Sequence, residues 1–187
     1  MEFDWINIEE VDDALLKEFD SGNESFNFFL RTKAKTWQSQ GETVTYVFVD
    51  KSEIISGSYS RVYGYISINT LGLLYYDGNS KKYLSCAEIR MFAIAKQLRK
   101  HHDSSITWSE MLFKVALQNL YFMSVHTIGF RAIFLNANHD GYELYKNIGF
   151  EEIEEFIPPD EEKGIDIQGC VPLLLVMGDE MLYNIFL

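Results

Sequence analysis

Three polar side chains stand where the sequence pattern would let them do chemistry: Glu88, Asn138 and Tyr145. Glu88 lies in a strand-like run, residues 83–94. Alternation there puts Glu88, Arg90 and Phe92 on one face and Ile89, Met91 and Ala93 on the other. A carboxylate so placed can act as a general base, or it can simply be solvated or paired with Arg90. Asn138 closes another strand-like run, 131–138, and carries both donors and an acceptor. A plain strand-end turn residue would look the same. Tyr145 falls near the end of a short helical stretch, 141–148. A phenol with a pKa of about 10 can act as a general acid, or serve as an amphipathic core residue.

Other chemistries find less support. His101 and His102 lack a third ligand at metal spacing, so a solvated basic loop and no metal are expected; His126 and His139 are isolated and read as structural. Cys86 and Cys170 are too few for a disulfide framework, and both sit in apolar runs, which predicts buried free thiols. The 187 residues carry 16 Lys+Arg against 28 Asp+Glu, a net charge of −12, which argues against a nucleic-acid partner because phosphate neutralisation needs a basic face. Seven of the acids (Glu151, Glu152, Glu154, Glu155, Asp160, Glu161, Glu162) crowd one stretch without a base. That run is a solvated hairpin by default; beside a binding cleft it would attract a cationic ligand. The N-terminal residues show no basic region followed by an apolar one, and no apolar stretch approaches 18 residues, so a cytoplasmic protein with no membrane span is expected.

The elements that must position these groups follow from periodicity. A hydrophobic fraction of 47% with only three prolines predicts one domain, residues 1–187, with a sizeable core. Helical spacing appears at 9–19 and 24–38, the second with Phe26, Leu30, Ala34 and Trp37 as its stripe and Arg31, Lys33 and Lys35 away from it. β-Branched and aromatic runs predict strands at 43–50, 61–69, 83–94, 131–138, 151–157 and 167–177, with a polar loop at 51–60. A helix at 109–122 then joins 83–94 to 131–138, and such a crossover requires those two strands to be parallel. Helices around a mixed sheet place the chain in the α/β class.

On these elements lie segments that resemble a known family. The run from Asn138 through Leu144 and Tyr145 to Gly149-Phe150 resembles the N-x-x-A-x-x-(L/F)-Y-x-x-x-G-F segment of GNAT-superfamily N-acetyltransferases. Glu88-Ile89-Arg90-Met91-Phe92-Ala93-Ile94 resembles the E-x-x-R-L-A-V strand before their acetyl-CoA pyrophosphate loop. The stretch from Phe19 through Gly22 and Phe26 to Leu30 is similar to the F-x-x-G-x-x-x-L-x-x-F-L opening of a subgroup that includes toxins acetylating aminoacyl-tRNA. The resemblance implies a GNAT-like mixed twisted sheet of six or seven strands flanked by helices. It also implies transfer of acetyl from acetyl-CoA, without a metal, to a primary amine on a small molecule or a protein.

The resemblance assigns roles as well. Tyr145 would protonate the departing sulfur and Glu88 would take the amine proton. The backbone of Met91, Phe92 and Ala93 would meet the pantetheine arm, and Asn138 a cofactor amide. Ser104, Ser105, Thr107, Trp108 and Ser109 would hold the pyrophosphate. Here the chain departs from the family, whose loop reads (Q/R)-x-x-G-x-(G/A): residues 104–109 contain no glycine, and residues 95–103 are extra. Lys96, Arg99 and Lys100 in that insertion offer formal charge in place of backbone dipoles. Two alternatives follow: a binding module that has lost its phosphate cradle, whose apolar tail at 181–187 suits a partner or a homodimer contact; and a tRNA-acetylating toxin, which the charge of −12 counts against.

Overall fold

Runs of β-branched and aromatic residues, buried over continuous stretches at 47–50, 62–68, 86–89 and 132–135, form most of the sheet, as their propensity dictates. The computed structural model describes residues 3–55, 58–100, 106–153 and 169–178. Its strands are β1 (Phe3–Asn7), β2 (Val44–Asp50), β3 (Ile54–Ile55), β4 (Ser58–Tyr59), β5 (Val62–Asp77), β6 (Ser80–Ile94), β7 (Ala132–Ala137), β8 (Glu151–Glu152) and β9 (Val171–Val176). Its helices are α1 (Asp13–Glu18), α2 (Glu24–Phe28), α3 (Ala34–Ser39), α4 (Trp108–His126) and α5 (His139–Ile148). Seven strands form one sheet in the order β1-β2-β5-β6-β7-β9-β8, and β3 pairs with β4 alone. The expected mixed sheet flanked by helices is therefore present.

By chain contacts the molecule divides into two compact units, residues 1–69 with 90–116, and 70–89 with 117–187. In the first, β1 pairs antiparallel with β2, and β2 with β5. The helix expected at 24–38 forms, but as α2 and α3 joined by a π turn, Phe29–Lys33. The helix expected at 9–19 is shorter. A 3-10 turn at Ile8–Glu10 is followed by a break, and α1 starts only after Asp12 caps it through the Ala14 N–H at 2.8 Å. Ile8, Leu16, Phe19, Leu30, Ala34, Val47 and Tyr65 form this unit's core. The Tyr65 hydroxyl donates to the Phe26 carbonyl at 2.9 Å, tying β5 to α2. Gly64 is dictated by close approach, since a Cβ there would lie 2.9 Å from the Ala93 carbonyl oxygen. Opposite it, the β2–β5 register shifts at Phe48/Val49.

In the second unit, β6 and β7 are parallel, with Cys86–Ile89 facing Ala132–Leu135, as the crossover required. Both strands run on past that pairing, β6 to Ile94 and β7 to Ala137. β9 pairs antiparallel with β7 and β8. Leu73, Leu84, Cys86, Ala132, Phe134 and Leu174 pack together. The expected strands at 61–69 and 83–94 are too short. β5 and β6 extend to meet at a turn whose Gly78 has φ +58°, and the Asp77-Gly78-Asn79 turn signal explains why. The first strand, β1, has no counterpart among the expected elements. Among the described residues, no helix is long and apolar enough to cross a membrane.

Candidate active site

The sheet and two helix N-termini place the residues singled out above. In the second unit, β7 ends at Ala137 and Asn138 caps α5: its Oδ1 accepts from the Gly141 N–H at 2.9 Å. The strand-end reading of Asn138 is thus realised, with its acceptor engaged at the cap. Tyr145 follows on α5 and is only 9% exposed. Helical side chains lean toward their own N-terminus, and the Tyr145 ring lies so close over the first turn that a Cβ on Gly141 would stand 2.7 Å from its Cε2. Phe150, also buried, meets the ring at 5.9 Å between centroids. Burial, and secondarily the nearby Cys170, push the phenol well above its ordinary pKa. Tyr145 therefore keeps its proton at neutral pH and is a hydrogen donor.

Glu88 sits on β6 across from Phe134 of β7 and is 3% exposed. It is not the solvated carboxylate the sequence allowed. The Arg90 guanidinium lies over the Trp37 ring at 5.4 Å. Phe92 turns instead to Phe113 of α4, with centroids 4.9 Å apart. Met91, Phe92 and Ala93 thus lie in the first unit with side chains committed to packing.

The expected pyrophosphate loop is partly helix. Ser104 and Ser105 lie outside the described residues, as do His101 and His102. Thr107 caps α4: its Oγ1 accepts from the Glu110 N–H at 3.1 Å and its carbonyl from the Met111 N–H at 3.0 Å. Trp108 and Ser109 are therefore first-turn residues rather than loop, and by helix geometry their N–H groups have no intrahelical acceptor. The Trp108 indole is fixed edge-on to Phe3 at 5.7 Å, which anchors this turn. Glu110, the acid in the turn, is paired with Lys114 at 3.3 Å.

Of the basic insertion, Lys96 is engaged elsewhere. Residues Lys96–Lys100 form a 3-10 turn, and the Lys96 ammonium pairs with Asp20 while its backbone N–H donates to the Asp20 carbonyl at 2.9 Å. Lys96 is thus spent on an N-terminal loop rather than offered to a phosphate. Lys35 likewise binds Asp13 and the Val11 carbonyl, and Arg31 the Phe19 carbonyl, so neither is merely solvated. Cys86 is buried, which pushes its thiol up to about 11; Cys170 is only partly buried, and both are free. His126 lies on the Phe122 ring at 4.3 Å. Of the acidic run, Glu152 accepts the Tyr142 hydroxyl at 2.5 Å, while Glu154, Glu155, Asp160, Glu161 and Glu162 fall outside the described residues, as does the tail at 181–187. Among the described residues no group of His, Cys, Asp and Glu is arranged for a metal ion.

Gly141 stands where the resembling motif has alanine.

No family model and no curated protein sequence matches the chain. Solved structures do. It is similar to AtaTR bound with acetyl-CoA, at 17% identity over 100% of this chain and 99% of that one, with a TM-score of 0.73. It is similar to AtaT complexed with acetyl-methionyl-tRNAfMet, at 16% identity over the whole of both chains and a TM-score of 0.69. The chain has a GNAT fold. The KacTA–DNA complex is similar at 17% identity, 99% and 98% coverage and a TM-score of 0.65.

Proposed function

We propose that the protein transfers acetyl from acetyl-CoA to a primary amine by direct attack in a ternary complex. The observation that carries this reading is α5: Asn138 caps it, Gly141 leaves room, and Tyr145 is buried with its proton held. The amine nitrogen attacks the thioester carbonyl carbon, the C–N bond forms and the C–S bond breaks. The amine proton passes to Glu88, directly or through water. Tyr145 donates its proton to the sulfur and is reprotonated from solvent, so free CoA leaves as the thiol. The Trp108 and Ser109 N–H groups at the α4 N-terminus suit a pyrophosphate, and Thr107 keeps that turn formed without a glycine. The backbone of Met91–Ala93 takes the pantetheine arm. The similarity to AtaTR bound with acetyl-CoA supports the same co-substrate.

The acceptor read from charge is a cationic amine on a small molecule or a protein. A second reading has the α-amino group of an aminoacyl-tRNA as acceptor, and the full-length similarity to AtaT bound to acetyl-methionyl-tRNAfMet favours it. One experiment addresses both. The release of CoA thiol from acetyl-CoA is followed with spermidine, lysine or aminoacyl-tRNA as acceptor, beside a thermal-shift titration of acetyl-CoA with ATP as control. At about 100 times its Kd a ligand stabilises by about 2.7 kcal/mol, or roughly 5–11 °C for a chain of this size. No shift at millimolar acetyl-CoA, with no thiol released, leaves the binding-module reading.

A further inference from the structure

We propose that Thr43 and Asn69 form an acceptor-binding pair, two buried oxygens held for the N–H groups of the incoming primary amine. The inference rests on the reading of the protein as an acetyltransferase acting on such an amine. Both residues belong to the first unit. β2 and β5 run antiparallel with Val44 opposite Ile68, so one step outward Thr43 comes beside Asn69. Two residues inward, on the same face, Thr45 Oγ1 donates to Ser67 Oγ at 3.0 Å. That inner pair is closed on itself. The outer pair is open: Thr43 is only 2% exposed, yet its Oγ1 and the buried Oδ1 of Asn69 have no hydrogen-bond partner among the described residues.

The fold gives no reason to leave these oxygens open. A buried polar atom without a partner costs stability, and valine, which β2 carries at Val44, Val47 and Val49, would occupy position 43 without that cost. A primary amine in the neutral form that attacks has two N–H donors and one lone pair. Two oxygen acceptors engage the donors and leave the lone pair for the thioester carbon. α3 is tied to this end of the sheet: the Glu42 N–H donates to the Trp37 carbonyl at 2.9 Å, and the Thr45 N–H to Gln38 Oε1 at 2.8 Å. The Trp37 ring in turn carries the Arg90 guanidinium, and Arg90 directly precedes the Met91–Ala93 backbone proposed for the pantetheine arm. Asn69 is only partly buried, so an amine reaches the pair from that side.

The test is Thr43→Val and Asn69→Leu, each of nearly unchanged size. They are read by kinetics with whichever of spermidine, lysine and aminoacyl-tRNA the parent protein uses, by acetyl-CoA affinity and by melting temperature. In each variant kcat/KM for the acceptor should fall about tenfold, the worth of one hydrogen bond, with acetyl-CoA affinity within twofold of the parent. Because Thr43 Oγ1 gives up no bond within the protein, Thr43→Val should melt at or above the parent's temperature. Acceptor kinetics within twofold in both variants overturn the proposal, the result expected if the pair held only a bridging water. An earlier melt of Thr43→Val overturns it too, since the hydroxyl would then serve the fold. If Asn69→Leu fails to fold, Thr43→Val decides alone. The ¹³C signal of the Thr43 methyl group, titrated with spermidine and with lysine, separates this proposal from the activity it rests on. If the parent transfers acetyl to no acceptor, the activity reading falls; a methyl signal that either amine moves then keeps the pair as an amine-binding site, and one that neither moves overturns it.

Discussion

Buried polarity is used differently in the two units. In the first, the buried polar residues are Ser21, Asn27, Thr43, Thr45, Asp50 and Ser67; in the second, among the described residues, Glu88 alone joins the buried phenol of Tyr145. The first set mostly stitches chain to chain. Asn27 Oδ1 accepts from both the N–H and the hydroxyl of Ser21 at 2.8 Å, Thr45 donates to Ser67 at 3.0 Å, and Asp50 accepts from Ser52 N–H at 2.9 Å. The second set is an acid and a phenol; the first unit also buries an acid, Asp50, and the phenols of Tyr63 and Tyr65, the latter satisfied by the Phe26 carbonyl. A buried hydroxyl or amide can be satisfied once and left alone. A buried carboxyl and phenol cost more, and under the proposed function they are the proton acceptor and donor. On that proposal the contrast separates polarity that holds the fold from polarity that acts.

That contrast can be broken from either side. Tyr145→Phe should lower kcat by about 10²-fold or more, the usual contribution of a general acid, with acetyl-CoA affinity and melting temperature close to the parent. Retained turnover would make the phenol a core residue like any other. Asn27→Ala should do the opposite. Leaving the buried Ser21 N–H without its acceptor costs about 1–3 kcal/mol, seen as an earlier urea midpoint with an unchanged affinity for acetyl-CoA. Loss of affinity out of proportion to stability would mean the first unit's network also acts.

A smaller effect sharpens the role given to the α4 N-terminus. Ser109→Glu places a negative charge at that turn and should raise the acetyl-CoA Kd about tenfold, or about 1.4 kcal/mol; calorimetry that finds no change removes the pyrophosphate from this turn. The smallest effect is on acid stability. The Lys96 ammonium, with the Gly22 N–H and Asn27, lowers the Asp20 carboxyl from 3.8 to about 2. The folded state therefore binds this proton less readily than the unfolded chain. The stabilisation is complete above pH about 4 and is lost as pH falls toward 2. Asp20→Asn should flatten the pH dependence of the melting temperature in that window, and only slightly, since the pair is exposed to solvent.

Much of this was legible in the residues. The run from Gly141 to Gly149 gave the body of α5 and its stop, because a helical stripe and a terminal glycine are local signals, whereas Asn138, read as a strand end, proved to cap the helix. The parallel β6–β7 pair followed from the helix between them. What was not legible depended on partners distant in sequence. β1 is five residues whose strand identity comes from pairing with β2. The outer arms of β5 and β6 became strands through each other, although the Asp77-Gly78-Asn79 turn was there to be read. Lys96 offered charge to a phosphate until the fold set it against Asp20, and Glu88, which the sequence left as a base, a solvated acid or a partner of Arg90, is buried.

The sequence by itself determined the class of fold, the order of its elements and the identity of the phenol on α5, because periodicity, capping and turn residues act over a few neighbours. The tertiary structure alone decided that Glu88 is buried, that Lys96 is spent on Asp20, and that the Tyr145 ring rests on Gly141. Each of these is a matter of how closely two chain segments approach, and a one-dimensional pattern does not carry that distance.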